Sequence, residues 1–199
     1  LPPRSELADA RNAAEGLCYL NMIFVVLIVR RKTITGDNWL YFPDPDLIFN
    51  RGYEAKNMDP GMAPEDRSVI CLEITLKPDD PQWKAGDDEI LTIAKRQIAG
   101  TGLFREDEID EALVYRLPYA YPLYKLDYAD RLDRALAGLK RIPNLITLGR
   151  QGLFNHNNMD HSIYMGLTAA DLLAAQPPEK AVEKWYDEAG RFKRMRIVD

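Results

Sequence analysis

The hydrophobic pattern of this chain switches between apolar runs that suit buried strands and spacings that suit amphipathic helices. Leu17 to Arg31 contains the longest run, Met22 to Val29, which is rich in β-branched residues and too short to span a bilayer; it predicts one long buried strand. Gly36, Asp37 and Asn38 supply turn chemistry before Trp39 to Phe42, so the two segments read as a hairpin. Pro43, Pro45, Pro60, Gly61 and Pro64 punctuate an irregular region, within which Leu47 to Tyr53 predicts a short strand near a sheet edge. Ser68 to Leu76 is a further strand, and Glu73 inside it reads as a residue of a polar, solvent-facing side. Ile109 to Tyr124 is a strand carrying Tyr115, Tyr119, Tyr121 and Tyr124, aromatics that usually pack in a core or across strands.

Helical spacing marks Ser5 to Glu15, with Ser5 as N-cap and Gly16 as stop, and Asp87 to Ala99, which begins with acids and ends with Lys95 and Arg96. It returns in Tyr128 to Leu139, in a segment where Met159, Ile163, Gly166, Leu167, Ala170 and Leu173 recur, and, after Pro177-Pro178, in a more polar helix from Glu179 to Arg191. The stretch Asn144 to Ile163 joins these signals: an apolar strand (Leu145, Ile146, Leu148) breaks at Gly149 and Gly152 and passes through the polar turn Asn155 to Asn158 into the helix. A strand, a glycine turn and a capped helix place unpaired N–H groups at a strand end. Such a place suits an electron-rich ligand group, or serves as an ordinary connection.

Composition narrows the classes. At 199 residues, 46% hydrophobic and 29% charged, the sequence reads as soluble and globular, one large domain or two small ones. A net charge of −5 argues against nucleic acid or an anionic membrane as partner. Cys18 and Cys71 lie far apart without metal-like spacing, which suits a reducing, cytoplasmic compartment, a single disulfide being the alternative. His156 and His161 are the sole histidines, so no metal site is expected. There is no Ser-His-Asp set, Gly-x-Ser-x-Gly elbow, Gly-x-Gly-x-x-Gly fingerprint or phosphate loop. The chain opens on Leu1-Pro-Pro without methionine, which suggests a processed or truncated product, and the basic residues at 191 to 196 read as a solvated tail.

The run Gly149-Arg150-x-Gly152-x-Phe154-x-x-Asn157-Asn158-Met159-Asp160-x-x-Ile163 resembles the C-terminal signature of FAD-dependent oxidoreductases of the amine oxidase and protoporphyrinogen oxidase-like group, shared by the related UDP-galactopyranose mutases. Ala120-Tyr-Pro-Leu-Tyr124, Ile48 to Lys56 and the strand Ser68 to Leu76 fall in the family's order, so the likeness covers roughly residues 40 to 175. The resemblance implies an α+β fold: a mixed, largely antiparallel substrate-domain sheet with helices, plus the C-terminal strand, turn and helix of a Rossmann-like FAD domain. Residues 1–140 would belong to the substrate domain and 141–199 to the return into the FAD domain, whose N-terminal Rossmann part is absent from the sequence.

It implies FAD as cofactor of the full-length protein, with Gly149, Arg150, Gly152, Met159, Asp160, His161 and Ser162 beside it and the first turn of the last signature helix facing the flavin. It further implies substrate contacts from Phe49, Arg51, Tyr121, Arg150 and His156, Arg150 either reaching a phosphate or carboxylate or pairing with a carboxylate of the chain. His156 is the candidate for a polar contact or proton shuttle, or is a solvent-exposed turn residue. Mutases carry tyrosines that contact the substrate diphosphate where Phe49 and His156 stand, which ranks sugar-nucleotide isomerisation below hydride transfer from a C–N or C–C bond. The parent is read as an enzyme, and the 199-residue chain by itself as an inactive fragment that retains no FAD and self-associates through surfaces left bare.

Overall fold

Ile23, Val25, Leu27 and Val29 at alternate positions give the second half of Cys18–Val29 an apolar face, and in the structure, a computed structural model describing residues 7–195, this segment is strand β1 of a five-stranded sheet. Its companions are β2 (Trp39–Tyr41), β3 (Arg51–Glu54), β4 (Ser68–Leu76) and β5 (Ile109–Leu123), in the order β2-β3-β4-β1-β5. The β2–β3, β3–β4 and β4–β1 pairs are antiparallel. The helices are α1 (Ala8–Glu15), α2 (Ala55–Met58), α3 (Asp87–Gly100), α4 (Tyr128–Leu139), α5 (Gly149–Gly152), α6 (Met159–Ala175) and α7 (Pro178–Glu188). The fold is therefore α+β around an antiparallel sheet, as the sequence implies. Ser5 and the last basic residue, Arg196, lie outside the described residues.

The chain forms two compact units, residues 20–120 and residues 1–19 with 121–199. In the first, Ile23, Val25, Leu27 and Val29 of β1 and Ile70, Leu72, Ile74 and Leu76 of β4 pack on Ile90, Ala94 and Ile98 of α3, with Phe49 and Phe104 completing the core. Side chains of this size each contribute about 1.5–3 kcal/mol on full burial. In the second, Leu132 and Leu136 of α4, Leu153, Phe154, Met165, Leu172, Trp185 and Phe192 form a separate core. There α1 and α4 cross so closely that a Cβ on Gly138 would sit 2.2 Å from the Ala10 Cβ.

Three expectations are corrected. β1 and β2 do not form a hairpin: β1 lies between β4 and β5, and β2 pairs with β3. A strand with so apolar a face belongs inside a sheet, while three-residue β2, with Trp39 and Tyr41 exposed, suits an edge. The connection after β1 folds onto Glu54 instead. This fully buried carboxylate accepts the N–H groups of Ile34 (3.0 Å) and Thr35 (2.7 Å) and the Ser68 hydroxyl (2.5 Å).

Leu145 to Leu148 is extended but pairs with no strand among the described residues. Side chains of α7 take its place: Trp185 Nε1 donates to the Thr147 carbonyl at 3.0 Å, and the Thr147 N–H donates to the Tyr186 hydroxyl at 3.2 Å. The third correction, at Glu73, belongs to the site below. Cys18 and Cys71 are both free thiols.

Glu54→Ala removes the acceptor of two main-chain N–H groups and a buried hydroxyl. The expected loss is about 3 kcal/mol or more, at about 1–3 kcal/mol per buried unsatisfied group, read from urea unfolding; a loss below 1 kcal/mol would mean that water or a rearranged loop replaces the carboxylate.

Candidate functional site

In the unit of residues 20–120 the register places Arg51 opposite Glu73, Tyr53 opposite Cys71, and Trp39 opposite Tyr53. Directly opposed residues project to the same side of a sheet, so these five side chains share one face. Glu73 does not point to solvent as expected: it is 4% exposed and accepts from Arg51 Nε at 2.7 Å and Nη2 at 2.6 Å. Both faces of β4 are covered, and a buried carboxylate persists only with a cation and hydrogen bonds to satisfy it.

The Arg51 guanidinium in turn lies over the Trp39 ring, 4.7 Å from its centroid, and Trp39 packs on Tyr53 at 5.1 Å. Burial pushes the Cys71 thiol up to about 11, against the pull of its hydrogen bond with Tyr53, so the thiolate needed for reactivity is scarce near neutral pH. Phe49 is 1% exposed, its ring in the core and edge-on to Phe42 at 4.9 Å.

The second cluster lies in the unit containing α5 and α6. Gly149 sits at φ +78°, where L-residues are strained, and a Cβ on Gly152 would meet the Thr147 carbonyl carbon at 3.1 Å; both glycines are demanded by the backbone itself. Arg150 Nη2 donates to the Asn157 carbonyl at 2.6 Å, and its guanidinium lies 4.4 Å from the Tyr121 ring centroid. The exposed His156 imidazole meets the same ring at 5.0 Å and 66°. Its main-chain N–H donates to the Tyr124 hydroxyl at 2.7 Å. Burial raises the Tyr124 phenol above its usual range, so it stays protonated near neutrality.

α6 begins at Met159, whose side chain is 79% exposed, with Asp160 also exposed. His161 is turned inward at 9% exposure, and its Nδ1 accepts the Asn158 N–H at 3.5 Å, which makes it part of the helix cap. Ser162 Oγ donates to Asn157 Oδ1 at 3.4 Å. Of the residues named from the sequence, the structure thus brings Arg150, Tyr121 and His156 into one cluster, and joins Gly149, Gly152 and Met159 to Ser162 through the α5–α6 turn. Arg51 stands in its own cluster. Trp39, Tyr53 and Tyr124 are additions: their partners depend on strand register and turn closure, which no local pattern encodes.

Among the described residues no group of three or more His, Cys, Asp and Glu side chains is arranged to hold a metal ion, and no helix is long and apolar enough to cross a membrane.

An antiparallel sheet backed by α3, together with a helical unit that opens α6 after a glycine turn, defines the class: a fold shared with part of UDP-galactopyranose mutase and of a protoporphyrinogen oxidase-like protein. The structure of reduced UDP-galactopyranose mutase matches with a TM-score of 0.74 and 21% identity, covering 93% of this chain and 39% of that one. A protein from Exiguobacterium sp., provisionally named a protoporphyrinogen oxidase, matches with a TM-score of 0.54 and 15% identity, covering 64% of this chain and 28% of its own. The chain therefore spans about two fifths of the mutase, and at these identities what is shared is the fold. No family model and no curated protein sequence matches.

A double-mutant cycle tests the buried pair. Arg51→Met leaves the Glu73 carboxylate buried and is expected to cost about 3–5 kcal/mol, whereas Arg51→Met with Glu73→Leu costs well under the sum of the single changes. Additive losses in urea unfolding would show that the two side chains act independently.

Proposed function

We propose that this chain supplies the substrate-facing sheet and the C-terminal return segment of an FAD-dependent, amine oxidase-like oxidoreductase, with residues 1–140 in the substrate domain and 141–199 in the FAD domain. The observation that carries the reading is the exposed start of α6 at Met159 and Asp160, which follows the glycine turn at the signature residues in a fold of this class. When bound, FAD supplies the hydride acceptor; the chain's residues hold and orient. The N–H groups of Met159 and Asp160 fit an electron-rich ring edge that gains negative charge on reduction, at the positive dipole end of α6, while those of His161 and Ser162 are taken up by the Asn158 side chain and carbonyl. Gly149 and Gly152 let the turn form beneath it.

Arg150, stacked on Tyr121 beside His156, orients a polar or anionic group of the substrate, and Arg51, fixed by Glu73 and Trp39, does the same on the sheet. Phe49 supports the start of β3 from the core.

An anaerobic series of amines, polyenes and porphyrinogens with the complete protein is expected to bleach the flavin absorbance with at least one compound. A flavin left oxidised by all of them counts against hydride transfer, and tight UDP-sugar binding without net reduction would mark an isomerase instead.

The outward side of α6 also exposes Met159, Ile163 (58%), Leu167 (60%) and Leu173 (48%), while its inner side buries Met165, Ala169 and Leu172. A helix apolar on both sides needs a second partner, which in this reading is the FAD-binding portion. Without it the chain self-associates, and Leu167→Glu is expected to shift the species seen by light scattering towards monomer. A wild-type chain that stays monomeric at high concentration would remove this part of the reading.

A further inference from the structure

We infer that Tyr124 is a positioning residue: its hydroxyl holds the His156 main chain, and with Phe154 it sets where the imidazole stands against Tyr121 beside Arg150. The identity of the ligand presented to this cluster rests on the oxidoreductase reading; the positioning itself does not.

Phe154 adopts φ +47°, the left-handed region, although it carries a full side chain. That conformation is disfavoured for a residue that carries a Cβ. It persists when its surroundings over-determine it. Here the Phe154 ring is 2% exposed, edge-on to Tyr19 at 4.9 Å and to Tyr124 at 5.7 Å, with Tyr128 at 6.1 Å. The aromatic packing holds the backbone reversal.

The reversal closes the turn on Arg150 twice. The Asn155 N–H returns to the Arg150 carbonyl at 2.9 Å, while the Arg150 side chain donates to the Asn157 carbonyl at 2.6 Å. Asn155 and Asn157 are buried at 8% and 1%, and Asn155 Nδ2 is tied to the Phe192 carbonyl at 3.0 Å. Between them His156 projects outward, and its N–H meets the Tyr124 hydroxyl at 2.7 Å. The Tyr124 ring is itself fixed against Tyr128 at 4.5 Å. The bond to Tyr124 fixes the peptide plane leading into this exposed residue, between its two buried neighbours. The imidazole then stands at 5.0 Å from the Tyr121 ring, whose face Arg150 covers. Tyr124 thus acts on the site through His156 without needing to touch a ligand.

Tyr124→Phe removes the hydroxyl and keeps the ring. Because the chain has only His156 and His161, two imidazole signals report the result by NMR, assigned with His156→Gln. The expected outcome is a shifted, broadened His156 signal, an unmoved His161 signal, and faster exchange of the His156 amide by about five- to tenfold, the equivalent of one hydrogen bond. Tyr128→Phe, which alters a hydroxyl in the same aromatic cluster, leaves both signals in place. An unmoved His156 signal, or His156 and His161 moving together, overturns the inference.

If Tyr124→Phe does not fold, the wild-type chain decides: rapid exchange of the His156 amide overturns the inference, and protection there supports it. No flavin is needed for any of these readings, so failure to bind FAD leaves them intact, and their failure leaves the oxidoreductase reading standing.

Discussion

A carboxylate buried at 4% exposure in the middle of a strand needs partners for its charge, and the pairing of Glu73 with Arg51 that meets this need organises one face of the sheet. Antiparallel pairing sets Arg51 directly across from it, so the ion pair and the β3–β4 register depend on each other. A one-residue slip would turn Arg51 to the opposite face and leave Glu73 buried and alone. With the guanidinium edge committed to Glu73, its flat face is available for stacking, and edge strand β2 brings Trp39 over it. Tyr53 then fills the space beside the indole, and Cys71 beneath Tyr53 is kept a protonated thiol by burial. One buried charge thereby accounts for the placement of an arginine and two aromatic residues.

The helical unit is organised by a different constraint, the closure of the main chain between α5 and α6. Its turn combines two glycines, one required by a positive φ and one by the closeness of Thr147, with a phenylalanine held in the left-handed region. Arg150 belongs to this closure through its carbonyl and its side chain together. An arginine bound into a turn loses little rotamer freedom on meeting a ligand, so its orientation is set before any ligand arrives.

The strands and helices that the sequence predicts well are those whose apolar period is long and uninterrupted. Ser68 to Leu76 and Tyr128 to Leu139 are recovered residue for residue as β4 and α4. Where local pattern misleads, a long-range partner decides. The turn residues at Gly36 to Asn38 signal a hairpin, but Glu54, nearly twenty positions on, captures the Ile34 and Thr35 amides. Leu145 to Leu148 has a strand's composition, yet Trp185 and Tyr186 of a later helix take up the Thr147 main-chain groups. Glu73 looks like a surface charge until β3 is placed beside it. The same limit applies to the sites: the likeness to a known signature points to Arg150, Tyr121 and His156, but the hydroxyl of Tyr124 has meaning only once the turn is closed.

Phe49 is a position where the core of this chain decides what a side chain can do. The resemblance sets a tyrosine of the mutases at this place, reaching a substrate diphosphate. In this chain the ring is a core element, packed edge-on to Phe42 with Ile and Leu side chains of β1 and β4 in the same cluster. A hydroxyl added to a ring in that position would be carried into apolar surroundings, where an unpartnered polar group costs about 1–3 kcal/mol. The two arginines are instead each held by an aromatic ring and by a hydrogen-bonded acceptor of its own unit, Glu73 for Arg51 and the Asn157 carbonyl for Arg150.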